Sequence, residues 1–90
     1  MEIEYDPLKQ MVTLEQRGVN MADAGLVFEN PVITIDDGRK DYGETRFVTF
    51  GKLLGRMVVL AWTPRGGRRR IISMRKANER EQKTYGPRLG

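Results

Sequence analysis

The 90-residue chain contains neither histidine nor cysteine. Near neutrality, the side chains able to take or give a proton therefore narrow to carboxylates, lysine and tyrosine. Glu44 and Arg46 stand two residues apart where an extended segment begins, an interval that projects both from one face of a strand. A possible base is thereby set beside a cation able to clamp a phosphate, although an exposed ion pair at a strand edge has the same pattern. Arg75 and Lys76 with Arg80 can gather around a phosphate, arginine through bidentate hydrogen bonds and lysine as a point charge. A solvated helix end would look the same. Tyr85 can donate a proton or stack on a base, or simply pack back on the sheet. Asp36, Asp37 and Asp41 lack the ligand pattern of a calcium loop, and Arg65-Gly66-Gly67-Arg68 fits no nucleotide-binding fingerprint, so it reads as a charged hairpin tip. Neither a metal nor a cofactor is expected.

Charge distribution gives these cations a setting. The formal charge is +4 overall, but residues 61–90 hold nine basic and two acidic side chains, whereas residues 1–60 hold seven basic and ten acidic. A strongly basic last third on an acidic remainder suggests a polyanion-facing surface, with nucleic acid the natural candidate. Arg65 and Arg70 add to the cations available for nucleic-acid contact.

Ninety residues make one domain, 1–90, and leave no room for a second catalytic module. A core of this size is modest, and without Cys or His the usual disulfide and metal supports lose their ligands, so association with another subunit is the expected support. Missing thiols permit a reducing, cytoplasmic compartment. The acidic start MEIEYD does not resemble a secretory signal, and no apolar run reaches the length of a membrane span, so no membrane partner is expected.

Positioning elements follow from local signals. Ile3 to Tyr5 predicts a short strand, and Asp6-Pro7 an N-cap with proline at the first helical position. The first helix should run from Pro7 to about Gln16, with Leu8, Met11 and Val12 on one face and Gly18 as its stop. Asn20 caps a second helix through about Glu29 that buries Ala24, Val27 and Phe28, before Asn30-Pro31 ends it. From Val32 the apolar period becomes two, which predicts strands at 32–36, 45–53, 56–63 and 68–74. Asp37-Gly38 opens the first connection, Leu54-Gly55 makes a tight hairpin, and Pro64 to Gly67 makes the third turn. Met57 to Trp62 is apolar throughout, so that strand should be covered on both faces, with Trp62 and Phe50 in the core. Strict alternation in the last strand puts Arg69, Ser73 and Arg75 on one face and Arg68 and Arg70 on the other. Residues 75–85 should form a polar helix, and Gly86 to Gly90 should fray. The fold class is α+β: a short N-terminal strand, two helices, an antiparallel meander of about four strands and a C-terminal helix, with the helices grouped on one face.

Several stretches, taken in order, resemble the BrnT family of toxins, whose fold is related to that of the RelE-type toxins. They are Glu4-Tyr5-Asp6-Pro7 with Lys9, Gly18-Val19 leading to Ala24 and Val27 to Pro31, Gly43-Glu44-Thr45-Arg46, and Arg70 to Ala77 with Glu81 and Tyr85. The run RIISMRKA is the most specific. The resemblance implies a metal-independent endoribonuclease toxin of a type II toxin-antitoxin pair. It also implies silencing by a ribbon-helix-helix antitoxin of the BrnA type, which would make a hetero-oligomer and carry the operator DNA contacts. Glu44, Arg46, Arg75, Lys76 and Tyr85 are the catalytic candidates, with Arg17, Arg65, Arg70 and Arg80 around the RNA. Family members commonly carry Lys-His-Gly where this chain has Gln16-Arg17-Gly18, and arginine cannot serve as a base near neutrality. If that histidine is catalytic, the chain is a weakened homologue that binds its antitoxin and tunes DNA binding. If it only contacts phosphate or caps a helix, Arg17 can replace it.

Overall fold

Alternating apolar residues from Ile33 onward assemble, in the computed structural model, into four antiparallel strands; the structure describes residues 1–38 and 43–89. They are β2 (Ile33–Asp36), β3 (Phe47–Leu53), β4 (Arg56–Arg65) and β5 (Arg68–Lys76), preceded by β1 (Glu2–Glu4). The order across the sheet is β1-β5-β4-β3-β2. β1 pairs in parallel with β5, so the meander expected from the sequence becomes a five-stranded mixed sheet. β3–β4 and β4–β5 are hairpins closed by pairs of left-handed residues, Leu54 with Gly55 (φ 52° and 80°) and Gly66 with Gly67 (φ 58° and 76°). Positive φ at both central positions is the turn geometry that matches strand twist. Of the connection opened by Asp37-Gly38, residues 39–42, Asp41 among them, lie outside the described residues.

Short-range bonds set the helices. The Asp6 carboxylate accepts from Leu8 N–H at 2.9 Å and starts α1 (Pro7–Arg17), which ends at Gly18 with φ 70°. Asn20 accepts from Ala22 N–H at 2.9 Å, but its first turn is 3₁₀ (Met21–Asp23) and only Ala24–Phe28 is α-helical, as α2. The expected continuous second helix is thus two short pieces. Val27 of α2 lies so close to β3 that a Cβ at Gly51 would fall 2.5 Å from its methyl carbon, which explains a glycine inside a central strand.

One face of the sheet, face A, is covered by α1 and α2. Val19, Met21, Ala24 and Val27 meet Val58, Leu60, Trp62, Ile71 and Met74 there. Trp62 Nε1 donates to Thr49 Oγ1 at 2.8 Å, and Thr49 also bonds Thr34 at 2.9 Å, so these buried polar atoms are paired. Face B is covered only at one end, where Phe50, Met57 and Val59 meet Ala77, Tyr85 and Leu89. The cover is α3 (Glu79–Tyr85) and a following 3₁₀ turn (Gly86–Leu89). Helices therefore lie on both faces, not on one, and residues 86–89 do not fray: Leu89 is buried. Apolar β4 is covered on both sides as expected, because it is the strand that both helical layers share.

Candidate functional site: an arginine-rimmed sheet face

Pairing register decides which side chains share face B. Val59 pairs with Arg75 and Ala61 with Ser73, but Trp62 pairs with Ile71, so Ile72 is an extra residue in a bulge. A bulge inserts one residue into one strand and resets its alternation. Strict alternation had separated Arg70 from Arg75. With the bulge, Arg70 (paired with Thr63), Ser73 and Arg75 all project from face B, together with Arg65 and Arg68. Arg69 goes to face A, its guanidinium 3.9 Å from the centre of the Phe28 ring.

β5 also continues through Lys76, and α3 begins only after the Asn78 cap. Arg75 and Lys76 therefore point to opposite faces. Lys76 pairs with Val58 of face A, and its ammonium would lie 3.3 Å from a Cβ placed on Gly18. Arg17 belongs to the same region, since its Nη1 donates to the Met74 carbonyl at 3.3 Å. The expected gathering of Arg75, Lys76 and Arg80 around one phosphate is not what the register gives. Arg80 lies on the exposed side of α3 beside Glu79 and Lys83.

What face B does gather is an open basin, the stretch of sheet that α3 leaves uncovered between flanking arginines. Its floor is made of small side chains, Ala61, Ser73 and Thr63, the last with a hydroxyl that donates to the Thr45 carbonyl. Thr45 lies between Glu44 and Arg46, so this bond fixes the pair beside the floor. β3 begins at Phe47 rather than 45, yet the expected juxtaposition holds: Arg46 Nε donates to Glu44 Oε2 at 3.1 Å. Arg70 flanks Thr63 from β5, with Nη1 2.7 Å from Glu4 Oε1. Arg68 pairs with Glu2 at 3.1 Å, while Arg65, across from it at the hairpin end, has no carboxylate partner among the described residues. From Arg70 to Arg75 the rim spans roughly 13 Å of strand, a distance long arginine side chains can close from both ends.

Arg75 is the most firmly held cation of the rim. Its Nη1 and Nη2 donate to Glu81 Oε1 and Oε2 at 2.7 and 2.8 Å, a bidentate pair. Glu81 also accepts from Asn78 N–H at 2.9 Å while Asn78 accepts from Glu81 N–H at 2.8 Å, a capping box. The first turn of α3 thus aims the arginine. Hydrogen bonding from Arg75 holds the Glu81 carboxyl below its usual range, and the same bond raises Arg75 further above its own. Glu81 is therefore an anchor and a poor proton acceptor. Tyr85 stacks on Phe50 with ring centres 4.0 Å apart, in the cross-strand row that leads through Val59 to Arg75. Glu4, Glu81 and the Ala61–Thr63–Ser73 floor were not singled out as site residues by composition or spacing. Asn78-x-x-Glu81 was a readable capping signal, whereas the floor depends on register alone.

Chemically, face B sets Arg65, Arg68, Arg70 and Arg75 beside the Glu44–Arg46 pair, each arginine but Arg65 bonded to a carboxylate among the described residues, while Tyr85 packs back on the sheet against Phe50. Among the described residues no group of three or more carboxylates is placed to hold a metal ion. No helix there is long and apolar enough to cross a membrane. Comparison with curated proteins finds no match. A family model described as "Ribonuclease toxin, BrnT, of type II toxin-antitoxin system" matches residues 5–81.

Proposed function

The chain belongs to the BrnT family of ribonuclease toxins of type II toxin-antitoxin systems, and from that premise we propose that the arginine-rimmed basin of face B is where it binds and cleaves RNA without a metal ion. The bulge at Ile72 carries this reading, because it alone puts Arg70, Ser73 and Arg75 on the face that also holds the Glu44–Arg46 pair. Cleavage of this kind needs the 2′-hydroxyl proton removed, the charge growing on the phosphate stabilised, and the 5′-oxygen protonated as it leaves. Glu44 takes the proton. Arg46, Arg70 and Arg75 stabilise the phosphate, with Arg65 contributing to backbone binding. Tyr85 stacks on a base or protonates the leaving oxygen. The products are a 2′,3′-cyclic phosphate and a 5′-hydroxyl, with no water consumed in the first step.

Two expected site residues take other roles in this reading. Lys76 and Arg17 serve α1 and face A, so the Gln16-Arg17-Gly18 sequence removes nothing from the basin. That location supports activity over the reading as a weakened, antitoxin-binding homologue. Arg80 contacts RNA only if the strand runs out along α3. The partner in this reading is a ribbon-helix-helix antitoxin of the BrnA type, through which operator DNA is contacted.

Incubating the purified chain with a single-stranded RNA in EDTA tests the proposal. Cleavage to cyclic-phosphate ends, together with growth arrest when the chain is induced alone, is expected. Intact RNA at high protein excess would overturn it, and cleavage only with added divalent ion would overturn the metal-free chemistry.

A further inference from the structure

Two hydroxyls lie on the floor of the basin, and one of them is already engaged within the chain. Thr63 donates to the Thr45 carbonyl, whereas the Ser73 hydroxyl, half-buried in β5, has no hydrogen-bond partner among the described residues. Ser73 stands opposite Ala61, and the cross-strand pairs on either side of them on face B are larger, Val59 with Arg75 and Thr63 with Arg70. The Ala61–Ser73 pair is therefore the lowest point of the floor, where a ligand comes closest to the sheet. It is also the middle of the rim. Along β4, Ala61 is two residues from both Val59 and Thr63, about 7 Å each way, so a group seated over Ser73 lies between Arg75 and Arg70.

We propose that Ser73 is a further catalytic residue, its hydroxyl donating a hydrogen bond to a non-bridging oxygen of the scissile phosphate seated in this hollow. The role presupposes that the basin is the RNA site. Arginine and serine divide the contact by size. The guanidinium groups of Arg70 and Arg75, held by Glu4 and Glu81, approach the phosphate from its flanks, and the short hydroxyl meets the oxygen that points down at the sheet. As negative charge grows on the phosphate, a donor fixed there stabilises the transition state more than the ground state. Ser73 forms no covalent bond: the 2′-oxygen attacks, Glu44 takes its proton, and the serine keeps its own.

Ser73→Ala removes the hydroxyl and no internal bond, so its melting temperature should equal that of the wild type. No charge is lost, so affinity for a 2′-O-methyl oligoribonucleotide should change less than about threefold, with the same salt slope. Cleavage should fall at least about tenfold, short of the roughly 10²–10³ of an enclosed oxyanion site because the basin is open to water. A second substrate carries sulfur in place of one non-bridging oxygen at the scissile phosphate. Sulfur is the weaker acceptor, so the wild type should cut one diastereomer more slowly than the other, and Ser73→Ala should lose most of that preference. Ala61→Leu fills the hollow from β4 and removes no polar group, and it should weaken oligoribonucleotide binding and cleavage alike. A folded Ser73→Ala that cuts at the wild-type rate overturns the role of Ser73 alone, as does a slower variant that keeps the wild-type diastereomer preference or an Ala61→Leu variant with full activity. A wild-type chain that cuts no RNA overturns the use of the basin, and the role of Ser73 falls with it.

Discussion

Arg75 and Lys76 are neighbours in sequence and lie on opposite faces of β5, so their single alanine variants should separate in RNA binding. Each contact to a single-strand phosphate contributes about 0.7 to the slope of log affinity against log salt. Between 50 and 200 mM salt, one lost contact therefore shrinks the fall in affinity by a factor of about 2.6. Arg75→Ala should show that change, and Lys76→Ala should keep the wild-type slope. Anisotropy of a labelled oligoribonucleotide carrying 2′-O-methyl groups measures binding without cleavage. One structural consequence has to be controlled. Removing Arg75 leaves Glu81, whose side chain is only 17% exposed, without its cation. The loss should cost about 1 kcal/mol, or roughly 4–8 °C in melting temperature for a domain this small. An Arg75→Ala, Glu81→Gln double variant removes the stranded charge, and its slope should match that of Arg75→Ala. Equal flattening by both single variants, or flattening by Lys76→Ala alone, would refute the assignment of the RNA face to the Arg75 side of the sheet.

Glu44→Gln keeps the shape of the side chain and removes its capacity to take a proton, so RNA binding should survive while cleavage falls on the order of a hundredfold; full activity would exclude Glu44 as the base. Glu81 is held below the usual carboxylate value of 4.5, chiefly by its bond from Arg75. Its contribution to stability is therefore complete above the unfolded value and is lost as pH falls through the lower folded value. Glu81→Gln can still cap α3, since glutamine serves in a capping box, but thermal unfolding followed from pH 7 to 3 should be flatter than in the wild type. An acid profile identical to wild type would show that the pair does not stabilise the fold.

Much of this fold is legible in the sequence because it depends on neighbours along the chain. Asp6, Asn20 and Gly18 each bond or bend within a few residues, so their helix boundaries are visible locally. The apolar run of β4 reports its double burial, and Trp62 and Phe50 are core as their surroundings suggest. The Glu44–Arg46 pair is legible for the same reason, since both residues lie on one short segment. What is not legible depends on a second strand. The bulge at Ile72 exists only as a mismatch between β4 and β5, and one extra residue there moves Ser73 and Arg75 across the sheet. A period of 3.6 likewise says that Leu8, Met11 and Val12 share a face of α1, but not which way that face points. The parallel pairing of β1 and the packing of Leu89 are long-range in the same sense.

The orientation of α1 is set by more than apolar area. On apolar area alone, burying Leu8, Met11 and Val12 would gain about 1.5–3 kcal/mol each, more than the net 0.5–1.5 kcal/mol of a typical hydrogen bond made by Gln10 or Arg17. A half-turn of the helix would also lose the bonds that Gln10 and Arg17 make to Asn20 and the Met74 carbonyl. The inward polar face keeps those partners, while the outward apolar face, with Leu8, Met11 and Val12 exposed, is a stabilisation the free chain forgoes. A toxin of a toxin-antitoxin pair also gains stability from its partner. An antitoxin at 100 times its dissociation constant stabilises the folded toxin by about 2.7 kcal/mol through mass action alone.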